Sequence, residues 1–155
     1  MRKGNITPNG VVLEKHEYKT ILLFTEMGKD VELIPRSKTS GVHTPDIKMD
    51  GIKWEIKSPI GKGKYLMSNT IQKAVKQSCN VIIDLRRTKR HQTQCLNELK
   101  REFERSNSLH RLIIISKNGR ILDFVKERTI MIVNEGRTCI GYMRDTALFF
   151  VFAFF

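Results

Sequence analysis

Apolar residues recur at helical spacing over residues 12–27, through Val12, Leu13, Tyr18, Ile21 and Leu22, and Gly28 stands where a helix-terminating glycine would. Val31-Glu32-Leu33-Ile34 alternates as a strand and is halted by Pro35, after which Arg36 to His43 is polar loop. Alternation returns in Ile47-Lys48-Met49 and in Ile52-Lys53-Trp54-Glu55-Ile56-Lys57, separated by Asp50-Gly51. That pair suits the two positive φ angles of a type I′ hairpin turn. Beyond a basic loop from Ser58 to Lys64, Ser68 or Asn69 is placed to cap a second helix that runs to about Gln77. Asn80 to Leu85 is apolar at nearly every position, as a strand covered on both faces requires. Residues 92–105 carry Leu96, Leu99 and Phe103 on one helical face. Leu112 to Ile115 predicts another buried strand, and Asn118-Gly119 turns the chain into Ile121 to Phe124.

The resulting order of helix, strand, hairpin, helix, strand, helix, strand, strand fits an α/β sandwich with a mixed central sheet flanked by helices. It occupies residues 1–126. The remaining segment, 127–155, is a C-terminal extension that holds one further candidate strand, Thr129 to Val133, and an apolar tail, Phe149 to Phe155. The eight apolar residues from Leu148 onward are too few to span a bilayer.

Charge narrows the class of partner. With 28 Lys+Arg against 16 Asp+Glu the chain carries a formal net charge of +12, which favours a polyanion. A membrane surface is the weaker candidate, because no basic amphipathic helix stands out. Three cysteines, Cys79, Cys95 and Cys139, lack metal-ligand spacing and suggest a reducing compartment. No secretory signal is visible at the N-terminus.

The hairpin concentrates the chemistry. Pairing about Asp50-Gly51 sets Met49 against Ile52, Lys48 against Lys53, Ile47 against Trp54 and Asp46 against Glu55. Ile47, Met49, Ile52, Trp54 and Ile56 then share an apolar face, while Asp46, Glu55 and Lys57 project from the other. Opposed like charges are destabilising. A divalent cation shared by the two carboxylates offsets this and makes Lys57 a partner for a water or a phosphate oxygen. The competing reading is a solvated face on which Lys48 and Lys53 shield the acids. Asp84, in a buried strand, needs a partner such as Arg86 or a backbone donor.

Pro45-Asp46, the intervening turn and Glu55-Ile56-Lys57 together resemble the signature of the PD-(D/E)XK nuclease superfamily. A wider run is similar to the C-terminal tRNase domain of contact-dependent growth inhibition (CdiA-type) toxins. It takes in Glu14 to Tyr18, Asp30 to Pro35, Thr44-Pro45-Asp46, Trp54 to Pro59 and Asn80 to Arg87, and the similarity covers about residues 9–125. The resemblance implies a restriction-endonuclease-like sandwich, with Asp46 and Glu55 as metal ligands and Lys57 serving the attacking water. It also implies the Ile56 carbonyl as a third ligand, and a further acid on the first helix, Glu17, with Glu14 as alternative. The metal expected is Mg²⁺ or Mn²⁺, with Zn²⁺ as a further candidate.

For nucleic-acid contacts the candidates are Lys64 in the basic loop, the Arg86-Arg87 cluster, Lys73 and Gln77 in the second helix, and His43 three residues before Asp46. The expected activity is hydrolysis of tRNA in a target cell's cytoplasm, with a cognate immunity protein as partner. The alternatives are DNA cleavage by the same site, or a non-catalytic nucleic-acid-binding module.

Overall fold

The computed structural model describes residues 2–126 and, beyond them, the backbone of three strands. The chain divides into two compact units, Met1–Phe124 and Val125–Phe155.

The first unit is built on a seven-stranded sheet in sequential order: β1 (Ile6–Thr7), β2 (Val31–Leu33), β3 (Ile47–Met49), β4 (Ile52–Lys57), β5 (Asn80–Asp84), β6 (Arg111–Ile115) and β7 (Ile121–Val125). β1 runs parallel to β2, whereas β2, β3 and β4 are antiparallel; β4, β5 and β6 are parallel. Helices cover both faces. Ile21 and Phe24 of α1 (Lys15–Glu26) pack with Leu33, Ile47, Trp54, Ile56, Ile82 and Ile113. On the opposite face, Ile71 of α2 (Leu66–Ala74) and Leu99 of α3 (Gln92–Arg105) pack with Val81, Ile83, Leu112 and Ile114. Successive residues of β5 and β6 thus enter opposite cores, and each fully buried aliphatic contributes about 1.5–3 kcal/mol. The α/β sandwich with a mixed sheet is the architecture expected.

The hairpin forms as its turn residues predict. Asp50 (φ 53°) and Gly51 (φ 76°) both adopt positive φ, and the pairs Met49–Ile52, Lys48–Lys53 and Ile47–Trp54 are in register. At the second turn only Gly119 (φ 82°) is positive, and Ser116 closes the turn by donating its amide to the Arg120 carbonyl at 2.9 Å.

Several details differ from expectation. α1 starts at Lys15, not at residue 12, because Glu14 and Glu17 form a capping box there. Val12, which precedes the helix, and Tyr18, within it, both expected inside, are exposed. At its far end Gly28 (φ 85°) and Lys29 donate to the carbonyls of Thr25 and Phe24, a Schellman closure. Neither Ser68 nor Asn69 caps α2, which begins after Tyr65 and ends at Ala74. Instead the Ser68 amide donates to Glu98 Oε1 of α3, and the Ser68 hydroxyl to Glu102 Oε1 at 2.6 Å. The short strand β1 was not anticipated, since two residues carry no periodicity.

The second unit is an antiparallel sheet in the order β10 (Ala147–Val151), β9 (Arg137–Arg144), β8 (Arg128–Asn134). β8 takes in the candidate strand Thr129 to Val133. Phe152 to Phe155, the end of the predicted apolar tail, lies outside the described residues.

Candidate functional site

β4, an interior strand, carries the candidate residues Glu55 and Lys57. Its register with β5 sets Glu55 beside Val81 and Lys57 beside Ile83, both residues of the α2/α3 core, so Glu55 and Lys57 project toward that face. Glu55 is consequently 1% exposed, not solvated. Its Oε1 accepts from Lys57 Nζ and from Gln77 Nε2 in the turn after α2. Its Oε2 is buried and has no hydrogen-bond partner.

Asp46 departs from the predicted pairing. The in-register ladder stops at Ile47–Trp54, and the Asp46 amide donates to the Trp54 carbonyl at 3.0 Å, one residue out of step. The Asp46–Glu55 backbone pair therefore does not form. A slip of this kind re-aims a side chain. Here it lets the Ile56 amide, beyond the last pair of the ladder, donate to Asp46 Oδ2 at 2.8 Å. Toward Asp46, Ile56 thus acts through its N–H. The two carboxylates are still neighbours. Burial pushes the Glu55 pKa up to about 7, and the approach of Asp46 adds to the rise against the opposing pull of Lys57.

A buried acid with an orphaned oxygen, beside a second acid, asks for a proton or a cation. In chemical type the donor set would suit a hard divalent ion, which the Asp46 and Glu55 carboxylates would hold. Among the described residues no group of three or more His, Cys, Asp or Glu converges on such a point, so this pair would be the whole acidic contribution.

Glu17 lines a cleft of about 450 Å³ with Asp46, Glu14 and Arg36, while its own carboxylate accepts the Glu14 amide. It belongs to α1, on the face of the sheet opposite the one that Glu55 enters. The remaining predicted residues scatter. His43 is exposed in the loop before β3, and Lys73 is exposed on α2. Lys64 stacks its ammonium over Tyr65 at 5.5 Å, and its carbonyl accepts from Arg90 Nη1. Trp54 is buried as expected, with the Arg111 guanidinium 5.4 Å from its ring centre.

Arg86 is engaged internally, as Asp84 required. Its Nε and Nη2 bind the Asp84 carboxylate, its amide donates to Asp84 Oδ1 at 3.0 Å, and the Thr20 hydroxyl donates to Asp84 Oδ2 at 2.6 Å. Burial raises the Asp84 pKa, but the bonds from Arg86 and Thr20 outweigh it and hold the group below the ordinary carboxylate range. Thr20 escaped the sequence reading because it meets Asp84 across 64 residues. The Glu98–Arg90 pair, also missed, secures the start of α2 from α3.

Against known proteins, no curated sequence matches the chain significantly. A solved structure described as the CdiA-CT/CdiI toxin and immunity complex from Burkholderia pseudomallei shares the fold, with a TM-score of 0.62 and 16% identity. The likeness covers 79% of this chain and 100% of that one. A family model described as the contact-dependent growth inhibition CdiA C-terminal domain matches residues 43–121, just over half of the chain. That span contains the hairpin, Gln77, Asp84 and Arg86. The chain belongs to the CdiA C-terminal domain family of contact-dependent growth inhibition proteins.

Proposed function

We propose that this growth-inhibition toxin domain is a metal-dependent endoribonuclease that hydrolyses a phosphodiester bond in tRNA. The observation that carries this reading is the buried Glu55, with Lys57 and Gln77 on one oxygen, nothing on the other, and Asp46 alongside. A carboxylate left half-satisfied in a protein interior is destabilising unless a ligand completes it. Asp46 and Glu55 would hold Mg²⁺ or Mn²⁺, with Zn²⁺ as a further candidate. When bound, such an ion supplies polarisation of the scissile phosphate and a more acidic water.

The chain's own groups do the rest. Gln77 and Lys57 fix the rotamer of Glu55 by binding Oε1, which leaves Oε2 unpaired. Lys57 keeps two further N–H donors for the attacking water or for charge developing on the phosphate. The Ile56 amide anchors Asp46 in the same way that Gln77 anchors Glu55. The net charge of +12 favours a nucleic-acid substrate. Lys64, Lys73 and His43, all exposed, are then available for contacts to it. Glu17 would act through the cleft that it shares with Asp46. By extension from the toxin and immunity complex, we expect a cognate immunity protein, with action following delivery into a target cell. Among the described residues no helix is long and apolar enough to cross a membrane.

The test is incubation of the purified chain with total RNA and with plasmid DNA, in Mg²⁺, Mn²⁺, Zn²⁺ or chelator. Discrete tRNA fragments, abolished by chelator and by Lys57→Ala, are the expected result. Nicked plasmid with intact RNA would reassign the substrate to DNA, and binding without cleavage of either would make the domain a non-catalytic binder.

A further inference from the structure

The strongest site outside the carboxylate cluster is a pocket of about 440 Å³ lined by Lys15, His16, Lys19, Asp84, Arg86 and Arg87. Asp84 adds no net negative charge to it, because Arg86 neutralises that carboxylate and Thr20 takes a further lone pair. Lys15, Lys19 and Arg87 are exposed, and none of the three forms an ion pair among the described residues. Lys15 and Lys19 stand one helical turn apart on α1, where two like charges repel unless an anion lies between them. Arg86 is held rigidly by its Nε and Nη2 edge, and its Nη1 makes no hydrogen bond among the described residues. A pinned guanidinium with one free edge is preorganised for an oxyanion.

The position of the pocket identifies the anion. Lys57 is the register partner of Ile83, and Asp84 is the next residue along β5. Strands lie about 4.8 Å apart, so the two sites are neighbours at the same end of the sheet. Alternation then puts them on opposite faces. Glu55 and Lys57 share the α2/α3 side with Val81 and Ile83, whereas Asp84 meets Thr20 of α1. A strand of nucleic acid crossing the end of the sheet would meet both.

We propose that this pocket grips a backbone phosphate adjacent to the scissile one, so that the substrate strand straddles the carboxyl ends of β4 and β5. The proposal rests on the nucleic-acid substrate inferred above but not on cleavage. Lys15, Lys19 and Arg87 bind the phosphate, and the Asp84–Thr20 pair positions Arg86.

The test is fluorescence anisotropy of a labelled RNA hairpin in chelator, over a range of salt, with wild type, Lys15→Ala/Lys19→Ala, Arg87→Ala, Lys57→Ala and a charge-matched control, Lys100→Ala/Arg105→Ala on α3. The α1 double variant should bind about tenfold more weakly and flatten the salt dependence by about one unit of slope, with Arg87→Ala in the same direction. The control should lose far less, and thermal unfolding should verify that every variant is folded. In cleavage assays the double variant should raise KM with kcat kept, the reverse of Lys57→Ala. Equal losses in double variant and control would overturn the proposal, as would failure of wild type to bind RNA or DNA. So would stabilisation by millimolar inorganic phosphate combined with RNA affinity indifferent to Lys15, Lys19 and Arg87, which would mark a free-anion site. RNA binding that depends on the pocket but proceeds without cutting would sustain the proposal while removing the nuclease reading.

Discussion

Glu55 and Asp84 are both buried acids near the ends of adjacent parallel strands, and they have opposite fates. Asp84 accepts on both oxygens from Arg86 and from Thr20, and its pKa falls. Glu55 accepts on one oxygen only and faces another acid, and its pKa rises to about 7. The contrast separates a carboxylate that holds the fold together from one that the fold holds in reserve. Saturated hydrogen bonding accompanies structure, and an unfilled oxygen beside a second acid accompanies ligand chemistry.

That comparison breaks most sharply at Lys57. Lys57→Ala should lower the rate of RNA cleavage by about 10²–10³-fold, in line with removal of one preorganised electrostatic donor, while the melting temperature changes little. Discontinuous single-turnover assays would measure it. Asp84→Ala should instead fall mainly on stability, with its effect on cleavage confined to a raised KM. It strands the Arg86 guanidinium, and should destabilise the fold by about 3 kcal/mol in urea titration, the low end for a broken buried pair because Arg86 is partly exposed.

pH distinguishes the two acids next. With its folded pKa raised from 4.5 to about 7, Glu55 keeps a proton that the unfolded chain releases, so stability in chelator should fall as pH climbs through that window and level off above it. Glu55→Gln should flatten the decline, and added Mg²⁺ should reduce it. Asp84 works the other way. Its contribution is intact above the ordinary aspartate pKa of 3.8 and disappears as pH drops through the depressed folded value. The smallest effect is expected from Thr20→Val, which removes one of the bonds on Asp84 and should cost about 1 kcal/mol by the same titration.

Much of this contrast was readable in advance. Asp50-Gly51 determines the hairpin register, and the apolar runs 80–85 and 112–115 mark interior strands. The need of Asp84 for a partner, Arg86 or a backbone donor, follows from burial alone. What the chain concealed was tertiary. Alternation in β4 identifies which residues share a face, but not that α2 would come down on the Glu55 side and dry it. The slip at Asp46 arises where β3 ends and leaves the Ile56 amide open, which no local pattern records. The cap of α2 comes from Glu98, 30 residues away, so no neighbouring Ser or Asn marks its start. Lys15 and Lys19 read as ordinary helix surface until Thr20 and Asp84 bring that helix to the end of β5.

The bonds that assemble the Glu55 cluster span 2, 10 and 22 residues, whereas the one joining Thr20 to Asp84 spans 64. Closing short loops sacrifices less chain entropy and proceeds faster than closing long ones. On refolding, the hairpin and the helix that follows it would bring Asp46, Glu55, Lys57 and Gln77 together early, and the clasp between α1 and β5 would be among the last contacts to form.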